Sequence, residues 1–278
     1  MRTPWTSRRF EFLKGILLFL GFGMCLSCLS AMERHMGLVG REALQPARPA
    51  FSIPRIGDNL SGITFSADTG TFFAVTNSPQ AVFELTPQGD ILRRMEMRGF
   101  SDTEDIAHIE NKLFAVVEER RGLIRLVNID ADTRVIRADQ GRTVDLGSRH
   151  EDNRGFESLA YDPATRSLLT IRELPPYDLM RITLDGSGAP GPITHERLSL
   201  DVDDVSALSL DHDGRLWVLS EASSRLLRLG HGGREMFRSP VRAGGLPFQP
   251  EGLAFDSEGA IFIVGEPDVL VVANLTIR

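Results

Sequence analysis

The stretch PEGLAF, residues 250–255, is one of five copies of a single pattern in this chain of 278 residues. Each copy is short, apolar and rich in small residues, as expected for a strand that faces a crowded axis. The other copies are LSGITF at 60–65, TEDIAH at 103–108, FESLAY at 156–161 and VSALSL at 205–210. The second residues of successive copies are 43, 53, 49 and 45 positions apart. A repeat of this period decides a fold more firmly than local propensity does.

Turns and further strands follow each copy. Asp211-His212-Asp213-Gly214 is typical of the turns, because Asp and Gly readily adopt turn conformations. We predict second strands at 72–76, 113–117, 168–172, 216–220 and 261–265, third strands such as 82–85, 123–129 and 226–229, and a fourth strand at 91–97. Four short antiparallel strands in a unit of about 45 residues are typical of a β-propeller blade.

The length of the repeat region favours five blades. Residues 51–278 give about 46 residues per blade, and no sixth copy is present. The last blade ends after three strands, so residues 51–56 are predicted to supply its outer strand and to close the ring. An open β-sandwich is the alternative, but it explains neither the five copies nor the unpaired end strands. The sequence therefore predicts an all-β, five-bladed β-propeller over residues 51–278.

Residues 1–32 form a separate N-terminal segment. Four basic residues precede an uncharged run at 15–32, which is near the lower length limit for crossing a bilayer. Flanking cations favour a cytoplasmic N-terminus. We interpret the segment as a retained transmembrane signal-anchor helix, followed by a polar tether at 33–50. The propeller is then expected to face the periplasm or the exterior.

Other interpretations of this segment stay open. It is also compatible with a buried helix, with a signal peptide cleaved after Ser30 and with lipidation at Cys28. Both cysteines, Cys25 and Cys28, lie within it, so the predicted propeller has no disulfide and no thiol chemistry.

The net charge of the chain outside residues 1–35 indicates which classes of partner it can bind. Outside residues 1–35 there are 26 Lys and Arg against 36 Asp and Glu, a net charge of −10. Such a surface repels phosphate backbones, so we expect no nucleic-acid partner and an affinity for cations.

Glutamates recur at one end of the predicted blades. Neighbouring strands are antiparallel, so the start of the first strand and the end of the second strand lie at the same end of a blade. The first-strand positions are Ser61, Glu104, Glu157, Ser206 and Glu251, and the second-strand positions are Asn77, Glu118, Glu173, Glu221 and Glu266. Seven of these ten residues are glutamates, so the sequence predicts a ring of carboxylates around one mouth of the channel.

Crowded carboxylates favour a bound cation. Like charges raise one another's pKa unless a cation lies among them, and calcium accepts six to eight oxygen ligands in irregular geometry. We therefore predict calcium at the seven glutamates, with Asn59, Asp102, Asp204 and Gln249 as additional oxygen donors. The alternative is that the glutamates are solvated or paired with Arg120, Arg172 and Arg225.

Two classes of function fit this arrangement. One is a non-catalytic calcium-binding scaffold or sensor. The other is a metal-dependent hydrolase of lactone, ester or phosphoester bonds, with His150, Glu151 and Asp152 as candidates for the base. These three residues precede the third copy, where the repeat is longest. In either case we expect a monomer with an unidentified small molecule or protein at the channel rim.

Four segments resemble the SdiA-regulated, YjiK-like family of bacterial propellers: LSGITFSADTGTFFAVT at 60–76, DTEDIAHIENKLFAVVEER at 102–120, GFESLAYDPATRSLLTIRE at 155–173 and QPEGLAFDSEGAIFIVGEP at 249–267. The resemblance implies an N-terminal membrane segment, a five-bladed propeller distantly similar to NHL repeats, and a calcium site. The chain departs from the family pattern at Asp105 and Ser158, where glycine is typical, and at Asp268, where asparagine is typical.

Overall fold

A computed structural model describes residues 42–147 and 155–277 of the chain. The predicted anchor at 1–32 and the first half of the tether at 33–50 lie outside this range. Residues 44–275 form one compact unit, and the remaining described residues, 42–43 and 276–277, belong to a separate unit. Of the residues that the structure describes, none lies in a helix long and apolar enough to cross a membrane.

The described chain is almost entirely β-structure and contains 22 strands in five sheets. Two N-terminal strands come first, β1 (Glu42–Pro46) and β2 (Phe51–Ser52). Blade 1 consists of β3 (Leu60–Ser66), β4 (Thr71–Thr76), β5 (Ala81–Leu85) and β6 (Ile91–Arg98). Blade 2 consists of β7 (Thr103–Glu110), β8 (Leu113–Glu118), β9 (Leu123–Asn128) and, after β10 (Val135–Arg137), β11 (Arg142–Asp145). Strand β10 instead pairs in parallel with β6 and extends blade 1.

The remaining blades follow the same antiparallel order. Blade 3 consists of β12 (Ala160–Asp162), β13 (Ser167–Ile171), β14 (Asp178–Leu184) and β15 (Pro190–Arg197). Blade 4 consists of β16 (Ala207–Leu210), β17 (Leu216–Ser220), β18 (Arg225–Leu229) and β19 (Glu235–Pro240). Blade 5 consists of β20 (Gln249–Phe255), β21 (Ile261–Glu266) and β22 (Val269–Ile277), with β1 and β2 both paired to β22. All five sequence copies lie at the innermost strands, so the five-bladed propeller is confirmed.

The N-terminal strands close the ring in blade 5. Phe51 pairs with Leu270, and the N–H of Ala47 donates to the carbonyl of Val272 at 2.8 Å. The outer strand differs from the predicted 51–56: β2 stops before Pro54, which has no N–H to donate, and Arg55 adopts a left-handed φ of 71°. Most of the outer strand is β1, within the segment interpreted as tether.

Five apolar clusters form the core, and each lies between two consecutive blades. Successive side chains of a strand point to opposite faces, so each strand serves two clusters. In β4, for example, Phe72 packs against Phe262 of blade 5 with ring centroids 4.2 Å apart. Its neighbour Phe73 packs against Phe114 of blade 2 at 4.7 Å. This alternation fixes the register of the strands, and the register in turn fixes which residues reach the channel rim.

Candidate metal centre at the acidic rim

The inner strands present their rim residues from irregular positions. The pairing of the first two strands skips one residue in three blades, between Leu60 and Gly62, between Thr103 and Asp105 and between Pro250 and Gly252. The skipped residues are Ser61, Glu104 and Glu251. Such β-bulges redirect a side chain away from the regular alternation of a strand. The bulges therefore place this row of rim residues at one end of the inner strands.

Three glutamates of this row interact electrostatically. Burial, together with Asp102, Glu119 and Glu266, raises the pKa of Glu104 to about 8. Burial and then Glu173, Glu104, Glu251 and Glu119 raise the pKa of Glu157 to about 11.

Glu251 behaves in the same way. Burial raises its pKa to about 9, and Glu221, Glu104, Glu266 and Asp204 add to the increase. Each of the three carboxylates is thus affected by acids from other blades. These three residues of the predicted row therefore lie close enough to interact across blades.

The second row includes Glu119 and not Glu118. Glu118 is fully buried, and its carboxylate accepts hydrogen bonds from Arg121 Nη1 at 3.0 Å and from Arg125 Nε at 2.9 Å. It also accepts the backbone N–H of Ser101 at 2.8 Å. Glu118 therefore belongs to an ion-pair network on the other face of β8.

Glu119, the next residue, lies among the rim acids. Its N–H donates to the carbonyl of Asp102 at 2.9 Å, just as that of Glu173 donates to Gly155 in blade 3 at 3.0 Å. Burial and the nearby Asp102 raise the pKa of Glu119. The sequence held a signal for this assignment. Glu119 follows Glu104 by 15 positions, which matches the other blades, whereas Glu118 gives the shortest of the five separations, 14.

Two groups of three carboxylates are close enough to share an ion. In one, oxygens of Asp102, Glu104 and Glu119 all lie within 4.8 Å of one another. In the other, the same holds for Glu119, Glu157 and Glu173. We call these groups the first and second triads. Glu119 belongs to both triads and therefore connects them. We refer to the two triads together with Glu221, Glu251 and Glu266 as the acidic rim.

The last two predicted glutamates, Glu266 and Glu221, are outside both triads and are held by amides. Glu266 accepts a hydrogen bond from Asn59 Nδ2 at 3.3 Å, and Glu221 accepts one from Gln249 Nε2 at 3.0 Å. Asn59 and Gln249 were predicted as additional oxygen donors, but here their amide nitrogens orient carboxylates. Asn77 acts similarly in the first triad, where its Nδ2 donates to Glu104 at 2.7 Å and to Asp102 at 3.3 Å.

Arginine pairing accounts for part of the acidic rim. Arg120 Nε lies 3.0 Å from Asp102 Oδ2, and Asp102 is itself a member of the first triad. Arg172 lies over the ring of Phe156 at 5.7 Å, and Arg225 donates to the carbonyl of Ser224. Of the three arginines named in the alternative, Arg120 pairs with Asp102, while Glu118 pairs instead with Arg121 and Arg125. The candidate base residues His150, Glu151 and Asp152 lie outside the described residues.

Comparisons with known proteins agree with this fold. A family model described as SdiA-regulated matches residues 44–273. Among solved structures, glutaminyl cyclase from Myxococcus xanthus superposes with a TM-score of 0.61 at 16% identity, covering 86% of this chain and 99% of that one.

Two further structures are similar. Regucalcin from Agrobacterium tumefaciens, described as a calcium-binding protein, gives a TM-score of 0.53 at 15% identity over 83% of this chain and 95% of that one. A luciferin-regenerating enzyme gives 0.51 at 12% identity over 84% and 95%. At these identities the likeness shows the propeller fold and no more.

Proposed function

The chain belongs to the SdiA-regulated family, and we propose that its propeller is a calcium-binding scaffold or sensor that works outside the cytoplasm. The observation that carries this proposal is Glu119, a carboxylate 2% exposed and shared by two acidic triads. Five carboxylates from blades 2 and 3 meet there. Their mutual repulsion favours a structure in which a cation lies among them.

The donor set favours calcium over a transition metal. Both triads consist of carboxylates alone. Zinc is usually held by Cys and His, whereas calcium is held by six to eight oxygens in flexible geometry. Each triad offers three carboxylates toward such a shell, and Glu119 is common to both. Water or an oxygen of a ligand would complete it, and this gives the unidentified small molecule or protein at the rim a direct contact with the ion.

Calcium binding is tested on the full-length protein by thermal unfolding after removal of divalent ions. We expect calcium to raise the melting temperature by several degrees, a chelator to reverse the shift, and magnesium and zinc to have smaller effects. Anomalous scattering from crystals grown with calcium would place the ion. The proposal fails if calcium leaves the melting temperature unchanged. Turnover of lactones, esters or phosphoesters that depends on the ion would favour the hydrolase instead.

The location outside the cytoplasm rests on the sequence of residues 1–32, four cations followed by an uncharged run. We propose that this segment anchors the protein in the membrane. A reporter that is active only in the periplasm, fused after Arg278, should give signal. Signal from a reporter that is active only in the cytoplasm would contradict the orientation.

A further inference from the structure

Asp105 lies directly below the acidic rim, with 1% of its surface exposed. The equivalent positions in the other copies are held by small residues, Gly62, Ser158, Ala207 and Gly252. Asp105 is therefore the only charged residue at this level of the inner strands. It is not part of either triad.

Backbone N–H groups from three blades converge on the Asp105 carboxyl group. Oδ1 accepts the N–H of Ile106 in its own blade at 2.8 Å, and Oδ2 accepts the N–H of Leu159 in blade 3 at 2.8 Å. The backbone at Gly62 and Ile63 in blade 1 also lies against the carboxyl group, and the N–H of Ile63 helps to lower its pKa.

The backbone around Asp105 is packed so closely that side chains would not fit at Gly62 and Gly252, the equivalent positions in blades 1 and 5. A methyl group on Gly62 would overlap Asp105 Oδ1 and would lie 2.6 Å from its Cα. A methyl group on Gly252 would lie 2.9 Å from the Cα of Gly62. The inner strands of blades 5, 1 and 2 thus approach closely at this level.

Inner strands have one edge without a neighbouring strand, so their N–H groups need other acceptors. The N–H of His108, for example, donates to Thr64 Oγ1 of blade 1 at 3.1 Å. Asp105 accepts the N–H groups of Ile106 and Leu159 and faces that of Ile63. A small residue at position 105 would remove the carboxyl oxygens that the N–H groups of Ile63, Ile106 and Leu159 now face.

We propose that the backbone N–H groups of Ile63, Ile106 and Leu159 form a carboxylate-binding site between the inner ends of blades 1, 2 and 3, which Asp105 occupies as an internal ligand. Replacing Asp105 with glycine, the residue found in blades 1 and 5, would empty this site. A small free carboxylate such as formate has the shape and the acceptors to refill it. The site is separate from the acidic rim and does not depend on a metal.

The test compares the full-length parent with Asp105→Gly by thermal unfolding, with sodium formate titrated against the sodium salt of a bulky sulfonate at equal ionic strength. We expect Asp105→Gly to melt about 10 °C or more below the parent, because buried N–H groups lose their acceptors. Formate should recover a large part of this loss and should not shift the parent.

Thr103→Val is the matched control. It removes another buried contact between blades, the 3.1 Å hydrogen bond from Thr103 Oγ1 to the carbonyl of Thr76, without leaving a carboxylate-shaped space. It should lose stability that formate does not restore. The proposal is overturned if Asp105→Gly melts with the parent, or if formate stabilises it no more than it stabilises Thr103→Val.

A second variant covers the case in which Asp105→Gly does not fold. Asp105→Asn fills the space but turns an NH2 group toward N–H donors, so it should melt below the parent and not respond to formate. An unchanged melting temperature for Asp105→Asn would also overturn the proposal. In the parent, the amide hydrogens of Ile63 and Leu159 should exchange slowly with solvent, and rapid exchange would contradict the hydrogen bonds directly.

Discussion

The backbone N–H of Gly155 donates a 2.9 Å hydrogen bond to Oε1 of Glu119. This contact joins the start of blade 3 to the carboxylate that both triads share. Only glycine fits there, because a methyl group on residue 155 would overlap Glu119 Cγ. Blade 3 therefore orients the central carboxylate of blade 2. The acidic rim depends on correct packing between blades as well as on the acids themselves.

Substitution by glutamine should have different effects at the adjacent residues Glu118 and Glu119. Glu119→Gln removes the shared charge of the triads, so the rise in melting temperature caused by calcium should shrink strongly. Glu118→Gln disrupts the largely buried pair with Arg125 and the partly exposed pair with Arg121, so the variant should be less stable by about 3 kcal/mol, as expected when a buried ion pair is broken.

The calcium response of Glu118→Gln should be close to that of the parent. Thermal unfolding with and without calcium measures both effects. A loss of the calcium response in Glu118→Gln, with the response retained in Glu119→Gln, would contradict the proposal. It would mean that calcium binds beside Glu118 and not at the two triads.

Glutamates of the inner strands should also contribute to calcium binding. Substitution of Glu104, Glu157 or Glu251 by glutamine removes a charge at nearly constant volume, so each variant should bind calcium more weakly than the parent does. Isothermal titration calorimetry measures the change. Glu110→Gln is the control, because Glu110 pairs with Arg166 at the opposite end of its blade.

There is a clear outcome that contradicts this prediction. If the three variants are more stable than the parent without calcium, and the parent itself does not respond to calcium, the glutamates repel one another at a rim that holds no metal.

The stability of the calcium-free protein should fall as the pH rises. The folded-state pKa values of Glu104, Glu251 and Glu157 are raised to about 8, 9 and 11, so the folded state binds more protons than the unfolded state above the usual glutamate range. The free energy of unfolding then decreases between about pH 5 and pH 9. The melting temperature measured across this range should decrease, and saturating calcium should flatten the dependence. A melting temperature that increases over the same range without calcium would contradict the assignment.

Removal of the N-terminal strands should weaken ring closure in steps. A chain that begins at Glu42 keeps β1 and β2, one that begins at Phe51 keeps only β2, and one that begins at Leu60 loses both. The last also loses Ile53 and Ile56, which are 0% and 3% exposed. Burial of two such side chains contributes about 3 to 6 kcal/mol. Melting temperatures should decrease in that order, and equal values for the first and last chains would show that closure adds nothing.

The sequence was sufficient for the blades because every inner strand repeats the same local pattern of small and apolar residues. It was insufficient where register decides the outcome. Glu118 and Glu119 are adjacent and chemically identical, but Glu118 is the last residue of β8 and follows its alternation, whereas Glu119 lies just beyond the strand. Strand β1, with Gln45 and Pro46 among its five residues, has no strand pattern of its own. Its extended conformation depends on pairing with β22, and the residues of β1 alone do not predict that pairing.

The pairing of Phe51 with Leu270 joins residues 219 positions apart. Contacts between such distant residues slow folding, because most of the chain must be ordered before they form. Synthesis proceeds from the N-terminus, so β1 and β2 emerge before β22 and cannot pair with it until it has been made. Until then the early blades expose a strand edge to neighbouring chains. Biogenesis of this protein should therefore depend on factors that shield the nascent chain until its C-terminal residues are released.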